Sequence, residues 1–336
     1  YETFLLAFVL NGVGRALASG ALDAWFVDAL HEVDPQIELQ PLLARGGTVA
    51  LLALGLGTLC GSLLPYALAG LPAEGTARLT PFSSALLAGW LVQMVTVVVA
   101  FLGIRENRLT TAPPDWRETL RATPVLVRTA VGVTRQNSHL PLLLGATFAS
   151  ALAVISLEML WQPHFAGLLG RIEGNSLYFG LIMGGNFLMG MVGNLVATPL
   201  SRYLGKRYAL VAALFQAARA ALMILLAMQT GFLPALAAFW LVYFNMGVVN
   251  SPHATLFHQA IPAQIRSTML SFDSLVGYVG AFLGSVGLGL LAEHTSTNVA
   301  WMVAAAVVGL SALIYLQLDA KRVHPQDHHH AIFEGS

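Results

Sequence analysis

Cysteine is almost missing from this sequence. Cys60 is the only one, which excludes a disulfide framework and any cysteine-based metal site. Charge is scarce as well. Only 10% of residues are Asp, Glu, Lys or Arg, where a soluble domain carries roughly a quarter. The formal net charge is zero, so no nucleic-acid or polyanion partner is suggested. Lysine occurs twice against fifteen arginines, a compositional lean toward a GC-rich bacterial genome. No Ser-His-Asp, Walker-type, zinc-protease or Rossmann spacing stands in a plausible context, so no enzyme and no cofactor are expected. The run His328–His330 reads as part of a tail. The sequence also lacks an initiator Met and a basic stretch ahead of its first apolar run, and Arg15 and Asp23 interrupt that run. It is therefore not a signal peptide, and the chain reads as one cut at its N-terminus.

What is present is apolar sequence. Hydrophobic residues make up 56% of the 336, and the mean hydropathy is +0.70. Crossing ~30 Å of hydrocarbon takes about 20 residues. The runs predict nine spans, at 4–30, 46–70, 82–104, 140–166, 175–204, 207–229, 232–260, 264–293 and 297–318. The expected fold is an all-α integral membrane bundle. Residues 1–104 form an N-terminal part with three spans, and 105–139 a linker. Residues 140–320 form a six-helix bundle, and 321–336 a tail. Within the linker, Leu120, Val127 and Val131 recur at helical spacing with arginines on other faces, which suits a helix lying at the headgroups. Pro124 should kink it.

Alternating the connections between two sides puts 13 Lys and Arg on the side of the 31–45 loop and two, Arg78 and Arg171, on the other. The positive-inside rule makes the first side cytoplasmic, with the C-terminus on it. A bacterial inner-membrane protein is expected, a monomer whose partners are the lipid bilayer and a small-molecule substrate.

The stretch 19–30, SGALDAWFVDAL, holds Asp23 and Asp28 at the end of the first span, and Arg15 lies just upstream. A charge in hydrocarbon costs about 2.5–3.5 kcal/mol even on lenient insertion scales. Arg15 and Asp23 fall about 80° apart around a helix, so one polar stripe carries both, either as a structural ion pair or as part of a solute path. On the 140–166 span, Glu158, Trp161 and Gln162 are spaced to share a face. Glu158 is either a proton-carrying acid or a hydrogen-bonded group at the outer helix end. The 232–260 span carries Phe239, Tyr243, Met246, Asn250, His253 and Phe257 at helical spacing. That mixture suits a permissive pocket for amphipathic ligands more than a plain packing face. His253 and His258 are candidates for titration near neutral pH. Arg219 reads as a snorkelling or paired cation. Asp273 reads as an acid placed for the macrodipole at a helix start. Glycines at 180, 184, 277, 280, 284 and 287 read as close helix packing.

Three stretches carry a likeness to a known family: SGALDAWFVDAL at 19–30, LSRYLGKR at 200–207 and LFHQAIPAQIRSTMLSFDSL at 256–275. With them the chain resembles the major facilitator superfamily (MFS) of secondary transporters over essentially its whole length. The likeness implies two pseudo-repeat halves, with the nine spans corresponding to helices four to twelve of twelve and the first three expected to be missing. It makes the spans at 4–30, 140–166 and 232–260 cavity helices. It makes Arg202, Gly205, Lys206 and Arg207 the second copy of the cytoplasmic-loop signature, without its acid. Asp28 resembles the acid that latches the inner gate on a loop arginine, expected here in the missing segment. The antiporter signature is not met: Gly57 and Gly61 are present, but the proline arrives only at Pro65.

The expected function is secondary transport by alternating access, with proton-driven efflux of small amphipathic molecules ahead of proton-coupled uptake. Uptake of charged solutes would call for more fixed charge in the pocket, and Arg15 is the one anchor the sequence suggests. A non-transporting membrane scaffold or sensor is the reading from another class.

Overall fold

The structure, a computed structural model, describes residues 2–18, 21–34, 36–72, 80–104, 116–170 and 176–323. Among these there are eleven α-helices and one short 3-10 turn. In chain order they are α1 (Glu2–Ala18), α2 (Ala21–Val33), α3 (Leu39–Ala67), α4 (Pro81–Gly103), α5 (Trp116–Gln136), α6 (Leu140–Leu169), α7 (Ser176–Tyr203), α8 (Tyr208–Ala227), α9 (Phe232–Ala260), α10 (Arg266–His294) and α11 (Thr297–Val323). The 3-10 turn, Ala263–Ile265, leads into α10.

Eight of these helices, α3, α4 and α6 to α11, are long and apolar enough to cross a membrane. This is the make-up of a multi-pass integral membrane bundle. The span expected over 4–30 is covered by α1 and α2, of 17 and 13 residues, with residues 19 and 20 between them outside the described residues. Helix α3 starts at Leu39, seven residues ahead of the expected 46. Arg45 is exposed, so the charge is solvated on a helix that has already begun. Helix α5 occupies the linker and runs through Pro124.

Local chemistry sets several helix ends. Thr80 caps α4: its hydroxyl accepts from the Ser83 backbone N–H at 3.2 Å, while the Ser83 hydroxyl accepts from the Thr80 N–H at 2.7 Å. Pro81 follows at the first helical position, where its missing N–H costs nothing. Helix α6 ends at Gly170 in the left-handed region, φ 69°.

Helices α6 to α11 pack in the order α7, α9, α8, α11, α6, α10, each against the next. Helix α3 lies on α7 and α9, and α4 packs mainly on α3. Large apolar side chains on α4, such as Leu86 and Phe101, are among the most exposed, as on a lipid-facing surface. The deepest core, with Trp301, Phe165, Phe239, Leu157 and Met223, joins α6, α8, α9 and α11.

Two seams of this row are backbone contacts. A Cβ on Gly193 of α7 would stand 2.0 Å from the Phe244 carbonyl oxygen of α9, and one on Gly247 of α9 would stand 2.0 Å from that of Gly190. A Cβ on Gly280 or Gly284 of α10 would fall 2.6 or 2.3 Å from carbonyl oxygens of α6. Only glycine fits such crossings. Gly180 and Gly184 face Ser62 and Leu59 of α3 instead, and Gly287 faces open space.

One end of the bundle gathers the cations. The start of α3, the end of α7, the starts of α8 and α10 and the end of α11 meet there, bringing together Arg45, Arg202, Lys206, Arg207 and Arg266.

Candidate functional site

A cavity of about 340 Å³ opens among α3, α6, α7, α8, α9, α10 and α11. The six-residue stripe of α9 divides on it. Tyr243, Met246, Asn250 and His253 line the cavity, while Phe239 and Phe257 are buried in the packing on either side. At 1.5 Å per residue, His253, Asp273 and Thr147 each lie about 10 Å in from the basic end of their helices.

Four side chains from four helices form one hydrogen-bonded line. The Thr147 hydroxyl of α6 donates to Asp273 Oδ1 of α10 at 2.7 Å. Thr147 Oγ1 is also 3.1 Å from His253 Nε2 of α9, and His253 Nδ1 is 2.7 Å from the Tyr315 hydroxyl of α11. Threonine has one hydroxyl hydrogen. When that hydrogen goes to Asp273, His253 Nε2–H donates to Thr147 and Nδ1 accepts from Tyr315. A neutral imidazole does both at once. If Asp273 carries a proton and donates it, every bond in the line can reverse. The chain therefore has two self-consistent polarities, set by the state of Asp273.

Arg219 of α8 stands in the same cavity wall and is 1% exposed. It does not snorkel. Its Nη2 donates to Ser150 Oγ of α6 at 3.2 Å, and its Nε has no partner. Beside it, Gln216 Nε2 donates to Ser311 Oγ at 3.1 Å.

The other candidates lie elsewhere. Trp161 is buried, stacked on Phe239 at 6.4 Å and edge-on to Phe179 at 5.7 Å. Glu158 and Gln162 are exposed on α6, and none of the three lines the cavity. Their spacing spans the boundary between the core-facing and open sides of α6, so the bulky ring is packed and the two polar groups are not. The side chains of Arg15 and Asp23 lie outside the described residues.

Sequence reasoning passed over Asp273 and Arg219 as site residues. The helix-start argument for Asp273 does not hold at its depth, because α10 begins at Arg266 and a macrodipole effect fades within the first turn. The usable signal was simpler: both are charges at membrane depth.

A second cluster sits at the basic end. Glu38, at the start of α3, accepts from Lys206 Nζ at 2.5 Å and from Arg202 Nη2 at 3.1 Å. These two cations hold its carboxyl below the usual glutamate range, with Lys206 the larger cause. Glu38 is thus an acid from a distant segment that pairs with the cations of the 200–207 stretch. The turn that presents Lys206 uses two left-handed residues, Gly205 at φ 64° and Lys206 itself at φ 59°. The second is uncommon for a side-chain-bearing residue. Arg207 pairs within the six-helix bundle, with Asp319 of α11. Asp28 of α2 pairs with Arg266 of α10. Deeper along the same seam, Gln40 Nε2 donates to Ser251 Oγ at 3.3 Å, and Asn194 Nδ2 donates to the Ala44 carbonyl at 2.6 Å.

Among the described residues no three His, Cys, Asp or Glu side chains converge as a metal site. No protein-family model matches the chain, and no curated protein matches it.

Proposed function

We propose that this chain is a proton-coupled secondary transporter of small amphipathic molecules, of the MFS type, working by alternating access. It sits in the bacterial inner membrane with its basic end toward the cytoplasm. The observation that carries the reading is the reversible line Asp273–Thr147–His253–Tyr315 in the wall of the α6–α11 cavity. A half-buried acid joined to a neutral imidazole can hold a proton or release it without breaking the line, and intramembrane acid–histidine chains serve as proton relays. The contacts of α2 and α3 with α7 and α10 at the basic end serve as the inner gate in its closed state, and the cavity belongs to the opposite opening.

Export is the leading direction. Proton-coupled uptake is the second reading, and Arg219 and Asp273 favour it because they place more fixed charge in the cavity than the sequence suggested.

The test is flux in proteoliposomes with an imposed pH gradient of either sign, using amphiphilic dyes of both charges. Gradient-driven movement that Asp273→Asn abolishes at unchanged protein level supports the proposal, and the effective sign of the gradient gives the direction. If no dye moves under either gradient, the permissive-transporter reading falls and a scaffold or sensor role takes its place.

A further inference from the structure

We infer that the cavity takes a small amphiphilic carboxylate, whose anionic head docks on Arg219. The inference rests on the transporter reading and names the substrate class of that same cavity.

Arg219 is a permanent cation, it is 1% exposed, and the structure gives it one hydrogen-bond acceptor, the Ser150 hydroxyl. Its Nε–H is buried without a partner. Among the described residues no carboxylate stands within ion-pair distance of it; Tyr243 and Tyr315, which share the cavity wall with it, are neutral. An unpaired charge in a protein interior is costly, and buried charges are kept where they are paired or where a ligand pairs them. Asp273 does not fill this role: it lines the same cavity but makes its hydrogen bond to Thr147 and no ion pair with Arg219. A guanidinium presents five N–H groups in a planar fork that matches a carboxylate with two parallel bonds. Four of those five are not engaged with Ser150.

The rest of the cavity fits the body of such a ligand. Leu51, Ala146, Ala151, Val154, Met246 and Val249 give it apolar walls. Its volume of about 340 Å³ lies at the small end of the range for ligand pockets, ~300–1,000 Å³. One or two fused rings or a short acyl chain fill it.

The experiment is equilibrium binding to the purified chain in nanodiscs of phosphatidylcholine, without any gradient. The probes are a matched set: 1-naphthylacetate, 2-(1-naphthyl)ethanol and 2-(1-naphthyl)ethylammonium. The expected result is that the carboxylate binds about tenfold or more tightly than the other two. Arg219→Gln removes that preference, and Arg219→Lys keeps part of it. Val154→Trp, which fills the cavity and leaves Arg219 in place, abolishes binding of all three. If Arg219→Gln does not yield monodisperse protein, the order of the three probes on the wild type and the Val154→Trp result still decide.

Equal or tighter binding of the ammonium or the alcohol overturns the inference. So does carboxylate binding that survives Arg219→Gln or Val154→Trp, and so does absence of carboxylate binding to the wild type. Dye flux under a gradient with no preference for the carboxylate removes this inference and leaves the transporter reading. Carboxylate binding without flux in any direction does the reverse.

Discussion

Asp28 in α2 and Arg266 at the start of α10 form an ion pair across 238 positions of sequence. The two partners are unequal: the Arg266 side chain is 7% exposed and that of Asp28 53%. Removing the acid therefore strands a buried cation, whereas removing the arginine frees an acid that water already reaches. Asp28→Asn is expected to cost about 1–3 kcal/mol, and Arg266→Gln less. The double variant is expected to be milder than Asp28→Asn alone. Thermal unfolding of the four proteins in one detergent checks the order.

Glu38 gives the basic end a pH dependence. Its carboxyl is held below the ordinary range in the folded chain by Lys206 and Arg202. A depressed acid contributes stability that is present above its unfolded pKa and lost as pH falls through the folded value. The contact between α3 and the Arg202–Lys206 turn is thus expected to persist at neutral pH and to loosen from ~pH 5 downward. The group is solvent-accessible, so the effect is small and salt weakens it. Hydrogen exchange of residues 36–42 against pH, with Glu38→Gln as the flat control, is the measurement.

Tyr315 ends the hydrogen-bonded line at His253 Nδ1. Tyr315→Phe keeps the ring, which lies edge-on to the imidazole at 6.0 Å, and removes one donor. A loss of about 1 kcal/mol of stability is expected, together with slower proton-driven flux. Asp273→Asn should abolish that coupling outright. Internal pyranine fluorescence in proteoliposomes reads both rates, and equal flux in Tyr315→Phe and wild type would remove Tyr315 from the relay.

The glycines divide into two groups by what a methyl would meet. Gly193→Ala and Gly247→Ala each drive a Cβ into a carbonyl oxygen of the facing helix. They are expected to destabilise by at least about 1–3 kcal/mol, the usual cost of overpacking. Gly287→Ala meets nothing within 4 Å and is expected to be neutral or to stabilise by up to ~1 kcal/mol through helix propensity. Melting temperatures of the three variants test the contrast.

Much of the helix layout was legible in the apolar runs. The 232–260 run matches α9 residue for residue, and 82–104 differs from α4 by one residue at each end. In the site, Tyr243, Asn250 and His253 were legible because a mixed stripe on one helix has a period that the sequence displays. Asp273, Thr147 and Tyr315 were not. Nothing in the sequence ties them to one another, and only the rotation of each helix within the bundle turns it toward His253. The partners Glu38 and Arg266 were hidden for a related reason, since an ion pair between distant segments leaves no local pattern.

The glycine crossings also bear on how a solute could reach the cavity. Where α7 meets α9 and α10 meets α6, carbonyl oxygens stand where side chains would otherwise be. At the crossings themselves no rotamer change can widen the gap, because backbone meets backbone there. Each couple therefore behaves as a plank. A molecule dissolved in the surrounding lipid finds no side door there, and the breathing of the chamber falls to the joints between planks.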